Sequence, residues 1–517
     1  MSQLGRSEQC DVDTNCVENF GPTGKEKDPI HFAGSVAAVA GGAAFASGLI
    51  FLAEPITSRL FPPESFGQVA TFMSGANIVG LIACLRYEMA LVLPKKDEDA
   101  GNIFALSALI LASMTILTAI VILGFGRDFL GFLNMEGVSS SMWLFPVAVF
   151  IIGFELLLRS WYTRYKQFNR IALSRAMSAI PRVSAELGGG AAGLTSGFNL
   201  ILFRIFGLTA PLALLLWNFL KHDAPFVFKH CTIAGIWRVA KRYIRFPLFQ
   251  LWSVLLLVVS WNSPVILLSA YFGGKEAGSF AKALYILYAP VLLFGDSVSQ
   301  VFLQLSAARK AGGEHLGALV EAVLNRMISF GVLPLAFIAL IGADVFEVVL
   351  GSQWSKAGIY AQLISHWVFM ILIHSSITTL FGILERQDIG LLSNLILCVV
   401  RLGILVAGGM FLRDAYITIL LFSWASVFVL VWRCSYLVRV VEASHWRLVR
   451  HFFRCTSFAV PALGVTACVK WWINAPSVCI VSAGIISSLP YAVFLIREDA
   501  ELRNLLLRAV NRVGFVQ

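Results

Sequence analysis

Residues 101–124 have the sequence GNIFALSALILASMTILTAIVILG, which contains no charged side chain. As an α-helix this stretch would rise about 1.5 Å per residue and cross the ~30 Å hydrocarbon core of a bilayer. Because lipid tails offer no hydrogen bonds, a segment that crosses them must satisfy its own backbone groups, and a helix does so. The stretch therefore predicts a transmembrane helix.

Apolar runs of similar length follow one another on both sides of this stretch. Hydrophobic residues make up 58% of the 517 residues and charged residues 14%, against roughly 25% charged in a soluble domain. This composition excludes a soluble enzyme, a secreted domain and a disordered chain. We expect an all-α polytopic membrane protein of about 14 transmembrane helices, at residues 31–54, 67–94, 101–124, 142–163, 171–195, 197–217, 246–272, 277–307, 317–343, 357–381, 389–412, 415–438, 450–473 and 476–496.

These helices form two groups of six, followed by a C-terminal pair. The groups are separated by a basic stretch, and polar segments flank the whole. The expected organisation is a flexible acidic tail (1–30), an N-terminal six-helix lobe (31–217), a basic cytoplasmic linker (218–245), a C-terminal six-helix lobe (246–440), two extra transmembrane helices (441–496) and an amphipathic cytoplasmic tail (497–517).

Lys and Arg are distributed unevenly between alternate loops. If the N-terminus is cytoplasmic, most of them fall in the inner loops and the C-terminus, including the stretch from Lys221 to Arg245. The positive-inside rule then places both termini in the cytoplasm. The net charge of +10 is thereby explained by topology rather than by nucleic-acid binding. The outer loops hold Arg59, Arg127, Lys275, Lys356, Arg413 and Lys470.

An internal repeat relates the two groups of six helices. Two like lobes around a central cavity are a common plan of membrane transporters. We therefore expect two pseudo-symmetric lobes that enclose such a cavity. One constant offset along the chain superposes Phe61 on Phe272, Gly67 on Gly278 and Ala70 on Ala281.

Four stretches are typical of polysaccharide exporters: RLFPPESFG at 59–67, LRYEMALVLPKKDEDA at 85–100, FPLFQ at 246–250 and GDSVSQVF at 295–302. Through them the chain resembles the bacterial polysaccharide biosynthesis flippases of the multidrug/oligosaccharidyl-lipid/polysaccharide superfamily, from about residue 31 to 496. The acidic tail lies outside the usual pattern of that family.

This resemblance implies a V-shaped bundle that works by alternating access. It also implies that the chain carries an undecaprenyl-pyrophosphate-linked oligosaccharide across the bacterial inner membrane, for O-antigen, capsule or exopolysaccharide synthesis. The implied partners are this lipid-linked oligosaccharide, membrane lipids and other polysaccharide polymerisation or export proteins. No cofactor and no metal are expected.

Charged residues inside the expected spans are candidates for the substrate site. Each would cost at least ~2.5–3.5 kcal/mol at a lipid-facing helix centre, so it must pair, reach the interface or line a wet cavity. The spacings of Glu155 with Arg159 and of Arg182 with Glu186 predict ion pairs on single helix faces. The bases that remain suit an anionic substrate, since guanidinium binds phosphate oxygens through two parallel hydrogen bonds. The cationic candidates are Arg182, Arg175, Arg86, Arg204, Arg326 and Arg401, although snorkelling explains Arg86 equally well.

Other polar residues in the spans are candidates for ion coupling or for contact with sugar. A buried carboxylate or imidazole would carry a proton, although bonding between neighbouring helices explains such residues as well. Aromatic and amide side chains suit a sugar, although aromatic belts at the membrane interface also explain Trp. The coupling candidates are Asp296, His366, His374 and Glu186, and the sugar-contact candidates are Trp252, Trp261, Asn262 and Gln250, with Tyr285 beside them.

Two other functions remain open from the sequence. A cation-coupled multidrug antiporter of the same superfamily would need acid-rich lobes, whereas this chain has excess Arg. A membrane-embedded polysaccharide polymerase or glycosyltransferase would need a substantial external loop with clustered catalytic groups, and the sequence offers none. We therefore expect a transporter rather than an enzyme.

Overall fold

The structure is a computed structural model that describes residues 29–132, 136–473 and 475–498, without the side chains of residues 29–40, 127–132, 136, 292–297, 300, 301, 311 and 498. These residues are helical almost throughout and contain no β-strand. The helices are α1 (Pro29–Leu60), α2 (Pro63–Ile82), α3 (Asp97–Phe132), α4 (Phe145–Arg164), α5 (Phe168–Ala191), α6 (Gly197–His222), α7 (Ala224–His230), α8 (Ile233–Arg242), α9 (Leu251–Phe272), α10 (Gly274–Ala311), α11 (Gly317–Leu350), α12 (Ser355–Ile377), α13 (Leu380–Ile383), α14 (Gln387–Ala407), α15 (Ala415–Val440), α16 (His445–Trp471), α17 (Ser477–Ser487) and α18 (Leu489–Glu498).

Eleven helical segments among the described residues are long and apolar enough to cross a membrane. The all-α polytopic class expected from the sequence is therefore confirmed. The other three expected spans coincide with α1, α5 and α10, which do not meet the same criterion, so the total of 14 stays a prediction. Residues 1–28 and 499–517 lie outside the described residues. The flexibility expected for the N-terminal tail and the amphipathic character expected for the C-terminal tail therefore stay predictions.

Helix α3, which contains the apolar run 101–124, packs little of its surface against the rest of the protein. Only 11% of the most apolar 18-residue stretch of this helix is buried inside the protein, and Ile116, Ile120 and Leu123 are exposed. In water this surface would be strongly unfavourable, whereas lipid tails solvate it at no cost. The exposed apolar face is what a helix at the lipid boundary requires.

Residues 192–196 separate α5 from α6, and the three glycines that interrupt the apolar pattern, Gly188 to Gly190, lie in the last turn of α5. Gly193 has φ +80°, a left-handed conformation that favours glycine. Ser196 then caps α6, because its side chain accepts a hydrogen bond from the backbone N–H of Asn199. The region thus contains two helices, as expected.

The second expected span differs from the structure. Helix α2 ends at Ile82, and the chain turns through Leu85 and Arg86, whose φ angles of 49° and 65° lie in the left-handed region. A short 3-10 helix follows at Tyr87–Val92. The apolar run to residue 94 is therefore not one helix, since two successive left-handed residues cannot continue an α-helix.

The stretch expected as a basic linker is itself helical. It includes the end of α6 and the short helices α7 and α8, which pack against α3. Asn102 of α3 holds them in place: its Nδ2 donates to the carbonyl of His230, and its Oδ1 accepts from the backbone N–H of Thr232. The domain boundaries drawn from the sequence stay a prediction.

The two groups of six helices touch where α2 packs against α9 and α10. Gly67 of α2 and Gly278 of α10, which the internal repeat superposes, meet at this contact. A Cβ added at Gly278 would lie 2.0 Å from the carbonyl oxygen of Pro63 and 2.7 Å from the backbone nitrogen of Gly67. Residues related by a pseudo-two-fold axis can touch each other only near that axis, so the internal repeat predicts that its axis passes through this contact.

Gly278→Ala tests this close approach. A methyl group there would collide with backbone atoms that cannot rotate away, so we expect a loss of about 1–3 kcal/mol of stability, measured as a lower melting temperature in detergent. Gly274→Ala is the matched control, because its added Cβ would meet nothing closer than the Glu64 side chain at 3.8 Å. Equal melting of the two variants would contradict the packing described.

Candidate functional site

Helices α1, α2, α5, α6, α9 and α10 line a cavity of about 710 Å³. These helices come from both groups of six, so the cavity lies between the two lobes, as the sequence predicts. Its wall combines apolar side chains with a small set of polar ones. The polar lining includes Glu54, Asn77, Arg182, Arg204, Asn262 and Lys282.

Two arginines share one carboxylate on the N-terminal side of the cavity. Arg182 Nε donates to Glu186 Oε1 at 2.9 Å, which is the ion pair predicted from their spacing on α5. Arg204 Nε of α6 lies 2.6 Å from the same oxygen, without hydrogen-bond geometry. Gly207 allows this approach, since a Cβ there would lie 2.6 Å from the Cβ of Arg182.

A second ion pair connects the two lobes beside the cavity. Lys282 Nζ of α10 contacts the carboxylate of Glu54 of α1, and both side chains are buried. The same ammonium donates to Ser58 Oγ at 3.1 Å and lies 3.4 Å from the centre of the Phe66 ring. A buried charge is tolerated when it is paired and hydrogen-bonded in this way.

The described charges around the cavity do not balance. Among the side chains that the structure describes there, Arg182, Arg204 and Lys282 face the two carboxylates of Glu54 and Glu186, which leaves one positive charge in excess. In addition, Nη2 of Arg182 is buried and has no hydrogen-bond partner among the described residues. A buried donor without a partner is unfavourable, and a ligand oxygen would satisfy it. This end of the cavity is therefore suited to an anion.

Aromatic rings form another part of the wall. Trp261 of α9 and Tyr288 of α10 pack together with their ring centres 5.2 Å apart, and both line the cavity. Tyr285 and Asn262 lie on the same helices and also line it. Nδ2 of Asn262 donates to the carbonyl of Val258 in its own helix. Such a wall offers flat apolar faces with a few polar atoms.

The structure places the six predicted arginines in different surroundings. Arg182 and Arg204 line the cavity, and Arg401 is fully buried next to the aromatic wall. The remaining three lie outside the cavity lining, and their binding role stays a prediction. Arg86 pairs with Glu88 at 3.1 Å beyond the end of α2, Arg175 is half-buried on α5, and Arg326 is exposed on α11.

Three of the four predicted coupling residues have described side chains, and the structure does not bring these three together. Glu186 is committed to two guanidinium groups. His366 Nε2 lies 3.1 Å from Ser423 Oγ of α15, and His374 Nε2 lies 3.3 Å from Thr378 Oγ1, so each histidine contacts a hydroxyl group rather than the other histidine. The side chain of Asp296 lies outside the described residues. A coupling role for any of the four stays a prediction.

Of the predicted sugar-contact residues, Trp261 and Asn262 line the cavity, whereas Trp252 and Gln250 do not. Trp252 is 60% exposed, and Gln250 belongs to the short π-helix Phe246–Gln250 that precedes α9. Sugar contact by any of the four stays a prediction.

Sequence reasoning missed Glu54 as a site residue. It is the last residue of the first expected span and directly precedes Pro55, a position that suggests the end of a helix. The available signal was that Glu54 is the one carboxylate in the apolar run 31–54. Its partner Lys282 is distant in sequence, so spacing on one helix does not reveal the pair.

Residues 56–358, more than half of the chain, match the polysaccharide biosynthesis protein family. The chain belongs to this family. It is also 24% identical over 328 residues to the succinoglycan biosynthesis transport protein ExoT of Rhizobium meliloti (strain 1021), a match that covers 60% of this chain and 60% of that protein. The chain thus matches less than two thirds of the length of this relative.

Two solved structures have similar folds. The lipid II flippase MurJ in an inward closed conformation has a TM-score of 0.67 at 13% identity, covering 91% of this chain and 99% of MurJ. An inward-facing multidrug resistance MATE family transporter of the MOP superfamily has a TM-score of 0.58 at 15% identity, covering 76% and 95%. The chain is thus a multi-pass membrane protein of a polysaccharide biosynthesis family, and its fold is similar to those of these two proteins.

Lys282→Met tests the ion pair between the lobes. It leaves Glu54 buried without its partner, which should cost about 3–5 kcal/mol of stability and lower the melting temperature in detergent. The double variant with Glu54→Gln removes both charges and should regain most of that loss. If the double variant melts no higher than Lys282→Met alone, the two residues do not compensate each other.

Proposed function

We propose that this protein is a flippase that carries an undecaprenyl-pyrophosphate-linked oligosaccharide repeat unit across the bacterial inner membrane for surface polysaccharide biosynthesis. The observation that carries the proposal is the excess positive charge of the described side chains beside the cavity, together with Nη2 of Arg182, which has no hydrogen-bond partner among them. A diphosphate supplies the oxygens and the negative charge that this end of the cavity lacks.

The proposed cycle follows from the position of the cavity between two lobes. The diphosphate and its sugars enter from the cytoplasm while the lipid chain remains in the bilayer. Arg182 and Arg204 bind the phosphate oxygens, and the lobes then rock to open the other side. The membership of the family, the likeness to ExoT and the MurJ-like fold support this proposal.

The loops of the chain support an orientation with both termini in the cytoplasm. In that orientation the contact zone around Gly67 and Gly278 lies at the outer end of α2, because α1 runs outward and α2 returns. The structure would then be closed on the outside. The likeness to an inward-facing multidrug resistance transporter supports this arrangement.

A multidrug antiporter of the same superfamily is the main alternative function. The charge of the ligands that the purified protein binds distinguishes a flippase from such an antiporter. Purified protein should bind farnesyl diphosphate, an anionic isoprenoid, and should not bind the lipophilic cation tetraphenylphosphonium, because the cavity repels a second positive charge. Preference for the cation would overturn the proposal.

Deleting the gene in a cell without a second flippase should abolish surface polysaccharide and leave lipid-linked repeat units inside.

Arg182→Ala should reduce flipping of the lipid-linked oligosaccharide in proteoliposomes by at least about tenfold, because a charge-assisted contact to phosphate is lost. The protein should still fold, since Glu186 keeps Arg204 as a partner. Arg159→Ala is the matched control: it removes an i,i+4 partner of Glu155 with similar geometry at a site outside the cavity lining. Full transport by Arg182→Ala at normal protein levels would remove Arg182 from the site.

A further inference from the structure

Arg401 of α14 is a buried cation in the C-terminal lobe that the proposed phosphate site does not use. Its exposed fraction is 1%. Nε donates to Ser426 Oγ at 2.9 Å, and Nη1 donates to Ser260 Oγ at 3.1 Å. Among the described residues no carboxylate pairs with it. Since no ion pair among the described residues stabilises this buried guanidinium, other contacts must offset the cost of removing it from water.

Three aromatic rings surround this guanidinium. Its carbon Cζ lies 4.9 Å from the ring centre of Trp367, 5.4 Å from that of Phe422 and 5.5 Å from that of Trp261. Each distance is within the range of a cation–π contact, which strengthens when the cation is removed from water. The rings and the two hydroxyls replace the missing carboxylate.

Of these rings, only that of Trp261 also lines the cavity. Its indole therefore contacts Arg401 and also forms part of the cavity wall. Ser260 and Trp261 are adjacent in α9, so Arg401 contacts both the hydroxyl before the tryptophan and the ring itself. The contacts restrict the indole in position, since a rotation of the ring away from the wall would remove the cation–π contact.

We propose that Arg401 is a positioning residue that holds Trp261 as a stacking platform for a sugar ring of the substrate. One face of a pyranose ring presents C–H bonds and packs on a flat aromatic surface, while its hydroxyls bond to polar groups beside it. The cavity thus contains two subsites, a cationic one for the diphosphate and an aromatic one for the sugar. This inference rests on the proposed function.

The experiment compares two probes by equilibrium binding to the purified full-length protein. Farnesyl diphosphate carries the charges without a sugar, and farnesyl-diphosphate-linked glucose adds one pyranose ring. Wild-type protein should bind the glucose-bearing probe about tenfold more tightly. Arg401→Gln and Trp261→Ala should each remove that advantage and leave the affinity for farnesyl diphosphate unchanged. The double variant should show no further loss, because Arg401 acts through Trp261.

The outcomes separate this inference from the function on which it rests. If wild-type protein binds neither probe, the proposed function fails and the inference fails with it. If the wild type binds both probes equally, or a variant weakens both alike, only the inference is overturned. Should Arg401→Gln not fold, Arg401→Lys, which keeps the cation, and Trp261→Ala carry the test: Lys should retain part of the advantage and Ala none.

Discussion

Charge placed inside the membrane determines how this protein is assembled. An ion in hydrocarbon is unfavourable, so each one requires compensation within the bundle. The protein uses three forms of it: Glu186 shared by two arginines, the pair between Glu54 and Lys282, and the aromatic rings around Arg401. Each arrangement joins different helices, and the first two surround the same cavity. Several of the residues that balance the buried charges therefore also line the cavity.

The contact between the lobes is formed mainly by α2, which packs against α9 and α10. Besides the glycines of α2 and α10, it includes Trp354 Nε1, which donates to the carbonyl of Ser58 at 2.7 Å, and Arg59, whose Nη2 donates to the carbonyl of Val348 at 3.1 Å. These contacts all involve the end of α1 or the start of α2. A movement that separates the lobes here would break these hydrogen bonds, the ion pair between Glu54 and Lys282 and the packing of α2 against α9 and α10.

The sequence predicts local features better than distant ones. The run 101–124 predicts a helix because length and apolarity act within one segment, and the spacing of Arg182 and Glu186 predicts their ion pair for the same reason. By contrast, Glu54 and Lys282 meet only because α1 packs near α10, and no spacing encodes that. The end of α2 before Arg86 depends on left-handed backbone angles that hydropathy does not detect.

The fold of this protein does not by itself determine its substrate. Flippases and multidrug transporters have similar helix arrangements here, so the difference must lie in side chains that face the cavity. An acid-rich lining attracts cations, whereas beside this cavity the two described carboxylates are paired with three bases, which leaves one net positive charge among the described side chains. Because a low dielectric strengthens the effect of each charge, one net positive charge among the described side chains favours an anion in this cavity over a cation.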